Sequence, residues 1–146
     1  MRVELSYDKL GSRLRQIGDL EVSYGRLGSR PKTLGNCDLD YDMAGSRLRR
    51  VAGELVEYDK LGNRPVRLGD LELAYDRLGN RLVRIGNMDI EYDMGGNRVR
   101  RIGGVMVEYD KMGSRPRHLE TDGESHLDEQ LLLVVFLVLI AFNRDD

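Results

Sequence analysis

Seven tyrosines recur along this chain at a constant interval, and that interval limits the possible folds more than any other feature. They are Tyr7, Tyr24, Tyr41, Tyr58, Tyr75, Tyr92 and Tyr109, each 17 residues after the one before. If each tyrosine is position 0 of a unit, position 4 is always Gly, position 5 Ser or Asn, and position 6 Arg. Such a period indicates a repeat architecture, in which each unit buries its apolar side against its neighbours.

Each unit contains two turn signals. The first, YDKLGS and its variants, suits a type I turn closed by a left-handed glycine, and these turn glycines are Gly11, Gly28, Gly45, Gly62, Gly79, Gly96 and Gly113. The second is Gly-Asp, Gly-Asn or Gly-Gly, which suits a two-residue type II′ turn. Unit 3 reads Val51-Ala52-Gly53 instead, so its turn is predicted to be distorted or shifted by one residue. Two turns per unit predict an antiparallel meander of about 14 short strands, as seven hairpins over residues 1–119.

The turns also predict a register. If residues pair symmetrically about each turn, Tyr lies opposite Arg in the strands on both sides. The pairing register is then the same in every unit, so neighbouring strands do not slip relative to one another. Alternation then puts side chains such as Ile17, Val22 and Tyr24 on one apolar face. The opposite face collects charged side chains: Glu21, Glu72, Asp89, Arg50, Arg67, Arg84 and Arg101.

The tyrosines are predicted to alternate with arginines in a structural ladder at one rim of the apolar face, with guanidinium groups stacked on the rings. These arginines are Arg13, Arg30, Arg47, Arg64, Arg81, Arg98 and Arg115. A row of seven arginines could also hold an anionic ligand. Because each would already have aromatic neighbours, we favour the structural role.

Three prolines and one rival fold bear on this scheme. Pro31, Pro65 and Pro116 stand at position 7, where the register needs a ladder hydrogen bond, so broken pairing is expected there. The alternative is a β-solenoid with 17-residue coils. It would stack the arginines about 4.8 Å apart, which is unfavourable for like charges, so the meander is preferred.

After the repeats the composition changes. Residues 120–125 are predicted to form a linker, and residues 126–143 a hydrophobic helix, with Ser125 and Asp128 as a capping box. Its apolar core, residues 131–142, is shorter than the roughly 20 residues of a membrane span. We expect the sheet to curl, or to close into a barrel, around this helix, with Val3 opposite Leu119. The next alternative is an open sheet covered by the helix or by a second copy of the chain.

The sequence offers little catalytic chemistry. With 23 basic and 25 acidic residues, it has no charge excess that would indicate nucleic-acid binding. Asp38, Asp40 and Asp42 share a strand face that could bind calcium, although we favour the interpretation that these carboxylates belong to the solvated, charged outer face of the sheet. Cys37 is predicted to be a buried thiol, His118 a surface residue, and His126 part of the first turn of the helix. No enzyme activity, cofactor or metal is predicted.

The unit, with Tyr58, Asp59, Gly62 and Arg64 as its pattern, resembles the YD (Rhs-type) repeat; Gly25 replaces the Asp in unit 2. The resemblance covers residues 1 to about 119 and implies a β-rich shell or scaffold that is not itself catalytic. The prediction is therefore a cytoplasmic, non-enzymatic structural or interaction module with its own tail as core, and with a protein partner or self-association. The alternatives are a carrier of a hydrophobic ligand in the barrel interior, and a scaffold tethered to a membrane through residues 131–142.

Overall fold

The chain forms a closed antiparallel β-barrel with one helix at its carboxyl end, as seen in a computed structural model. The structure describes residues 2–9, 13–25, 30–42, 47–60, 64–77, 81–95, 98–110, 115–121 and 128–141, with Ala141 described by its backbone only. The predicted turn glycines Gly11, Gly28, Gly45, Gly62, Gly79, Gly96 and Gly113 lie outside these residues, as do Ser125 and His126.

Fourteen short strands follow one another around the barrel in sequence order, and β1 pairs with β14 to complete it. The strands are β1 Arg2–Tyr7, β2 Leu14–Ile17, β3 Leu20–Tyr24, β4 Pro31–Leu34, β5 Cys37–Tyr41, β6 Leu48–Val51, β7 Glu54–Tyr58, β8 Pro65–Leu68, β9 Leu71–Tyr75, β10 Leu82–Ile85, β11 Met88–Tyr92, β12 Val99–Ile102, β13 Val105–Tyr109 and β14 Pro116–Thr121. The closed meander is confirmed, and its antiparallel pairing excludes the solenoid.

The closing seam obeys the predicted pairing. Val3 lies opposite Leu119, and the neighbouring pairs are Arg2 with Glu120 and Glu4 with His118. The end of β14 differs from the prediction, because Glu120 and Thr121 continue the strand opposite Met106 and Val105 instead of starting a linker. Strand β14 therefore lies between two full partners, β13 and β1.

The predicted register without net slip is wrong at the first turn. It placed Ser6 opposite Leu14, whereas Ser6 lies opposite Gln16, and an irregularity follows before Tyr7 pairs with Leu14. Around the second turn the predicted pairing holds, as in Ile17 opposite Leu20. Each unit therefore shifts the pairing by two residues, and the same irregularity recurs before the tyrosine of every unit.

This slip is what allows the sheet to close. Seven units that each slip by two residues give a shear of 14 residues over 14 strands, or one residue per strand. A slip of one residue moves each strand about 3.3 Å along its neighbour, and neighbouring strands lie about 4.8 Å apart. The strands are therefore tilted by about 35° from the barrel axis, which is within the range of closed barrels. A β-bulge in every unit thus supplies the shear that the turn signals alone do not.

The prolines lie at these bulges. Pro31, Pro65 and Pro116 are each opposite a tyrosine at the register shift. The same shift occurs where position 7 is leucine, as at Leu14, so proline does not cause it. The irregular pairing expected at the prolines is therefore present, but it belongs to a bulge that every unit shares, and proline is accommodated there because the ladder of hydrogen bonds is already disrupted.

Helix α1, Glu129–Phe136, continues as a π-helical turn over Leu137–Ala141. It begins three residues later than predicted, because Asp128 is the N-cap: its carboxylate accepts a hydrogen bond from the Leu131 backbone N–H at 2.8 Å. An aspartate in extended conformation satisfies this free donor well. The predicted end at Asn143 lies outside the described residues.

The barrel interior and the helix form a single apolar core. All six residues from Val134 to Leu139 are buried, so every face of this part of the helix is covered. Val135, Phe136 and Leu137 have no exposed surface, and the wall residues Ile17, Ile85, Ile102 and Leu119 have none either. The helix therefore lies inside the barrel.

The second turn of unit 3 keeps its two-residue length but changes its type. Ala52 has φ +51° and Gly53 φ +85°, whereas the other units have a positive φ at the first, glycine position only. Two positive φ angles are typical of a type I′ turn, and one of type II′. The predicted departure of unit 3 is thus a change of turn type, and Val51 remains opposite Glu54 without a shift.

We expect the Ala52→Gly variant to raise the free energy of unfolding by about 0.5–1 kcal/mol, because glycine relieves a left-handed backbone while adding some entropy to the unfolded chain. Urea denaturation measures the change. The matched control is Gly35→Ala, which should destabilise, since φ is +56° and the added Cβ would lie 2.8 Å from Leu20 Cδ2. Equal effects of the two substitutions would contradict the turn assignment.

Candidate functional site

The predicted tyrosines and arginines form a ring at one end of the barrel, next to the first turns, although each tyrosine lies opposite position 7 of the paired strand, as Tyr7 opposite Leu14, and not opposite an arginine as predicted. Each arginine stacks on the tyrosine of the next unit, with 4.6–4.9 Å between the guanidinium carbon and the ring centroid. The pairs are Arg13 with Tyr24, Arg30 with Tyr41, Arg47 with Tyr58, Arg64 with Tyr75, Arg81 with Tyr92, Arg98 with Tyr109 and Arg115 with Tyr7. We call these fourteen residues the Tyr–Arg ring.

The last pair crosses the seam of the barrel. Arg115 stacks on Tyr7 at 4.9 Å, and the Tyr7 hydroxyl donates a hydrogen bond to the Pro116 carbonyl at 2.7 Å. The same hydroxyl contact links other neighbouring units, as from Tyr24 to the Leu14 carbonyl at 2.6 Å. The ring is therefore continuous across strands β1 and β14, and it ties each unit to the next.

In six of the seven units an aspartate also pairs with the arginine, a contact that was not predicted from the sequence because the aspartate was assigned only to the turn. Among the described residues, six units place the arginine Nε 2.8–3.2 Å from the Oδ2 of the aspartate at position 1. In unit 1 the Asp8 backbone N–H also donates to the Arg13 carbonyl at 2.9 Å, which closes the hairpin. The signal was available in the sequence, because Asp and Arg recur five residues apart, and Gly25 is the exception.

The ring is therefore suited to holding the barrel rim together. The positive charge of a guanidinium that is stacked on a tyrosine and paired with a carboxylate is already largely balanced by these two partners. In six of the seven units an anionic ligand would have to compete with the carboxylate of the paired aspartate. These contacts favour the structural role predicted for the row over anion binding.

Burial in the ring changes the acidity of its tyrosines. The pKa of Tyr58, Tyr75 and Tyr109 is raised to about 12, mainly because burial disfavours the charged form; the stacked arginine opposes this shift, and a nearby aspartate adds to it. The pKa of Tyr7 at the seam is also raised, with burial again the main cause. Neutral hydroxyls, which donate to the carbonyls of neighbouring units, are thus favoured in the folded barrel.

We expect the barrel to lose stability steeply as the pH rises from about 10 to about 12. A folded pKa above the unfolded value near 10 means that the unfolded chain releases its protons first, so this contribution is complete below pH 10 and is lost above it. Tyrosinate absorbance and far-ultraviolet circular dichroism, recorded together, measure it. Ionisation of the tyrosines near pH 10 without loss of the β signal would contradict the expectation.

The other residues singled out in the sequence do not converge on a site. His118 Nε2 lies 3.3 Å from Glu108 on the outside of the barrel, and His126 lies outside the described residues. Asp38 and Asp40 are exposed, and Asp42 is paired with Arg47. Cys37 lines a cavity of the barrel and is only half-buried, not fully buried as predicted; burial, with Glu129 and Asp38 nearby, raises the pKa of its thiol. Within the described part of the chain, no group of three or more His, Cys, Asp or Glu side chains could hold a metal ion.

Comparison with known proteins adds no relative. The chain matches no family model, no curated protein and no solved structure. Of the helices that the structure describes, none has the length and hydropathy needed to cross a membrane. What can be said of function therefore depends on the geometry of the barrel, its core and its two rims.

Proposed function

We propose that this chain is a non-enzymatic structural or interaction module, a barrel whose core is its own carboxyl-terminal helix. The observation that supports it most directly is the burial of all six residues from Val134 to Leu139 inside the wall. A helix covered on every face belongs to the core of a fold. The resemblance of the units to YD repeats agrees with a scaffold role and is part of the same proposal.

The outer surface also suits a scaffold. Exposed ion pairs such as Arg67 with Glu72 at 3.0 Å and Arg84 with Asp89 at 2.9 Å cover the strands with mixed charge. Such pairs add little stability, since exposed ion pairs contribute about 0–1 kcal/mol each. They do keep a strand surface hydrated and polar, and a partner would meet a charged, rigid wall.

Removal of residues 124–146 tests the proposal. We expect the truncated chain to lose cooperative unfolding and to aggregate, because the apolar wall would be left without its core. A chain that lacks only residues 144–146 is the control and should behave as the full chain does. Urea denaturation and size-exclusion chromatography provide the measurements.

The same truncation separates the two alternatives. A truncated shell that stays folded and takes up a hydrophobic dye would replace the proposal with a carrier whose interior the helix normally occupies. Full-length protein that co-sediments with lipid vesicles, while the truncated chain does not, would favour a membrane-tethered scaffold through residues 131–142.

A further inference from the structure

The barrel contains a cavity beside its helix. It has a volume of about 510 Å³ and lies between the first half of α1 and strands β5 to β9, near the second turns. Its lining includes Cys37, Glu54 and Leu71 from the wall and Leu133 and Leu137 from the helix. This volume falls within the range of about 300–1,000 Å³ that is usual for small-molecule sites.

The geometry of the barrel explains why space remains there. Fourteen strands at the observed slip give a backbone radius of about 13 Å, whereas backbone layers usually pack about 8–10 Å apart. Large inward side chains must therefore fill the extra space between the wall and the helix. At position 13, next to the second turn, four units supply Leu20, Leu71, Met88 and Val105, while units 2 and 3 supply Cys37 and Glu54.

Three departures from the repeat pattern meet at this cavity. Besides Cys37 and Glu54, Ala52 lines it, the one described residue other than glycine with a positive φ. Cys37 and Ala52 are coupled by packing. At the equivalent place in the preceding unit, Leu20 Cδ2 would lie 2.8 Å from a Cβ added to Gly35. A leucine in place of Cys37 would therefore crowd the Cβ atom of Ala52, which explains why the small Cys37 and the alanine occur together.

The inner part of the cavity is apolar. Val51 and Leu68 from the wall and Val134 from the helix are buried. Leu133 is only half-buried although both its neighbours in the helix are buried, and it lines the cavity. A ligand body made of hydrocarbon could therefore gain contact with the part of Leu133 that the wall leaves uncovered.

The mouth of the cavity carries negative charge. Glu54, Asp70 and Glu129 line it and are exposed, and no lysine or arginine is among the described lining residues. The side chain of Glu54 lies across the next turn, against Gly69. Glu129 contributes to the raised pKa of the Cys37 thiol, after burial, so its field reaches into the cavity.

We propose that this cavity binds a small amphipathic organic cation, with its apolar body between α1 and the wall and its ammonium group at Glu54 and Glu129. The helix stays in place, so the site is distinct from a carrier whose interior has been vacated. The carboxylates select for charge, because they attract an ammonium and repel a carboxylate of the same hydrocarbon length. The apolar lining selects for the body of the ligand.

Octylammonium, octanoate and octanol are the probes, the two ions used below their micellar concentrations and octanol below its solubility limit, each titrated calorimetrically against the full chain. We expect octylammonium to bind with a Kd of about 1 mM or tighter, and octanoate at least about tenfold more weakly. Octanol should fall between them. Equal affinity for octylammonium and octanoate, or no detectable octylammonium binding, would overturn the proposal.

Two variants locate the site. Glu54→Gln should weaken octylammonium binding about 3- to 10-fold, while Glu72→Gln, which removes the same charge from the outside of the barrel, should not. The triple variant Cys37→Leu, Ala52→Gly, Glu54→Leu restores the pattern of the other units, fills the cavity and should abolish binding with its circular dichroism unchanged. If the triple variant folds and binds as before, the site is elsewhere. If it does not fold, the Glu54→Gln and Glu72→Gln comparison decides, and equal effects would overturn the proposal.

Discussion

Replacing Phe136 by alanine is expected to lower the free energy of unfolding by about 3–5 kcal/mol. Phe136 has no exposed surface and is the largest fully buried side chain of the described core. Its neighbours Val135 and Leu137 are also fully buried, so the wall surrounds it and cannot collapse freely onto a smaller residue. Because domains of this size are usually stable by about 5–15 kcal/mol, the variant would lose a large fraction of its stability.

Urea denaturation of the full chain measures the effect. The control is Gln130→Ala in the same helix, because Gln130 is exposed and its replacement should change stability by less than about 0.5 kcal/mol. A cost below about 1 kcal/mol for Phe136→Ala would mean that the helix is not enclosed by the barrel.

A disulfide across the seam is expected to form in the double variant Glu4→Cys, His118→Cys and to stabilise the barrel by about 4–5 kcal/mol. Glu4 and His118 lie directly opposite each other on β1 and β14. Directly opposed residues in an antiparallel pair have Cβ atoms about 4.5–5.5 Å apart, close to the separation that a disulfide needs. The gain is large because the crosslink would close a loop of more than 100 residues.

The experiment uses a Cys37→Ala background, so that the engineered pair holds the only thiols. Oxidation is followed by loss of free thiol, and stability by urea denaturation with and without reductant. The control pair is Glu4→Cys with Glu72→Cys, because Glu72 lies on β9, far around the barrel from β1, and should not crosslink within one chain. Failure of the Glu4–His118 pair to crosslink would mean that the barrel is open at the seam.

Much of the wall could be predicted from the sequence, because the signals are local. Alternation of side chains, together with the second turn, placed Ile17 opposite Leu20 and Val3 opposite Leu119, and both pairings hold. The Tyr–Arg ring could be predicted for the same reason, since Tyr and Arg recur at fixed positions of every unit. The pairing of Arg13 with Asp8 was missed because the aspartate had already been assigned to the turn.

The start of the helix shows how a local signal can be assigned to the wrong position. Ser125 and Asp128 have the spacing of a capping box, but Asp128 is itself the N-cap and binds the Leu131 N–H. Serine and aspartate both serve in that role. The sequence pattern therefore predicted a helix but not which of two residues starts it.

By itself, then, the sequence determined the strands, their two faces, the second turns and an apolar tail that needs to be buried. Only the tertiary structure decided the slip at Tyr7 and its equivalents, because a bulge depends on how two neighbouring strands twist against each other around a closed ring. That slip sets the tilt and the radius of the barrel. The radius in turn leaves room beside the helix where the smaller Cys37 and the exposed, charged Glu54 replace the apolar residues of the other units, a consequence that no single unit of the repeat contains.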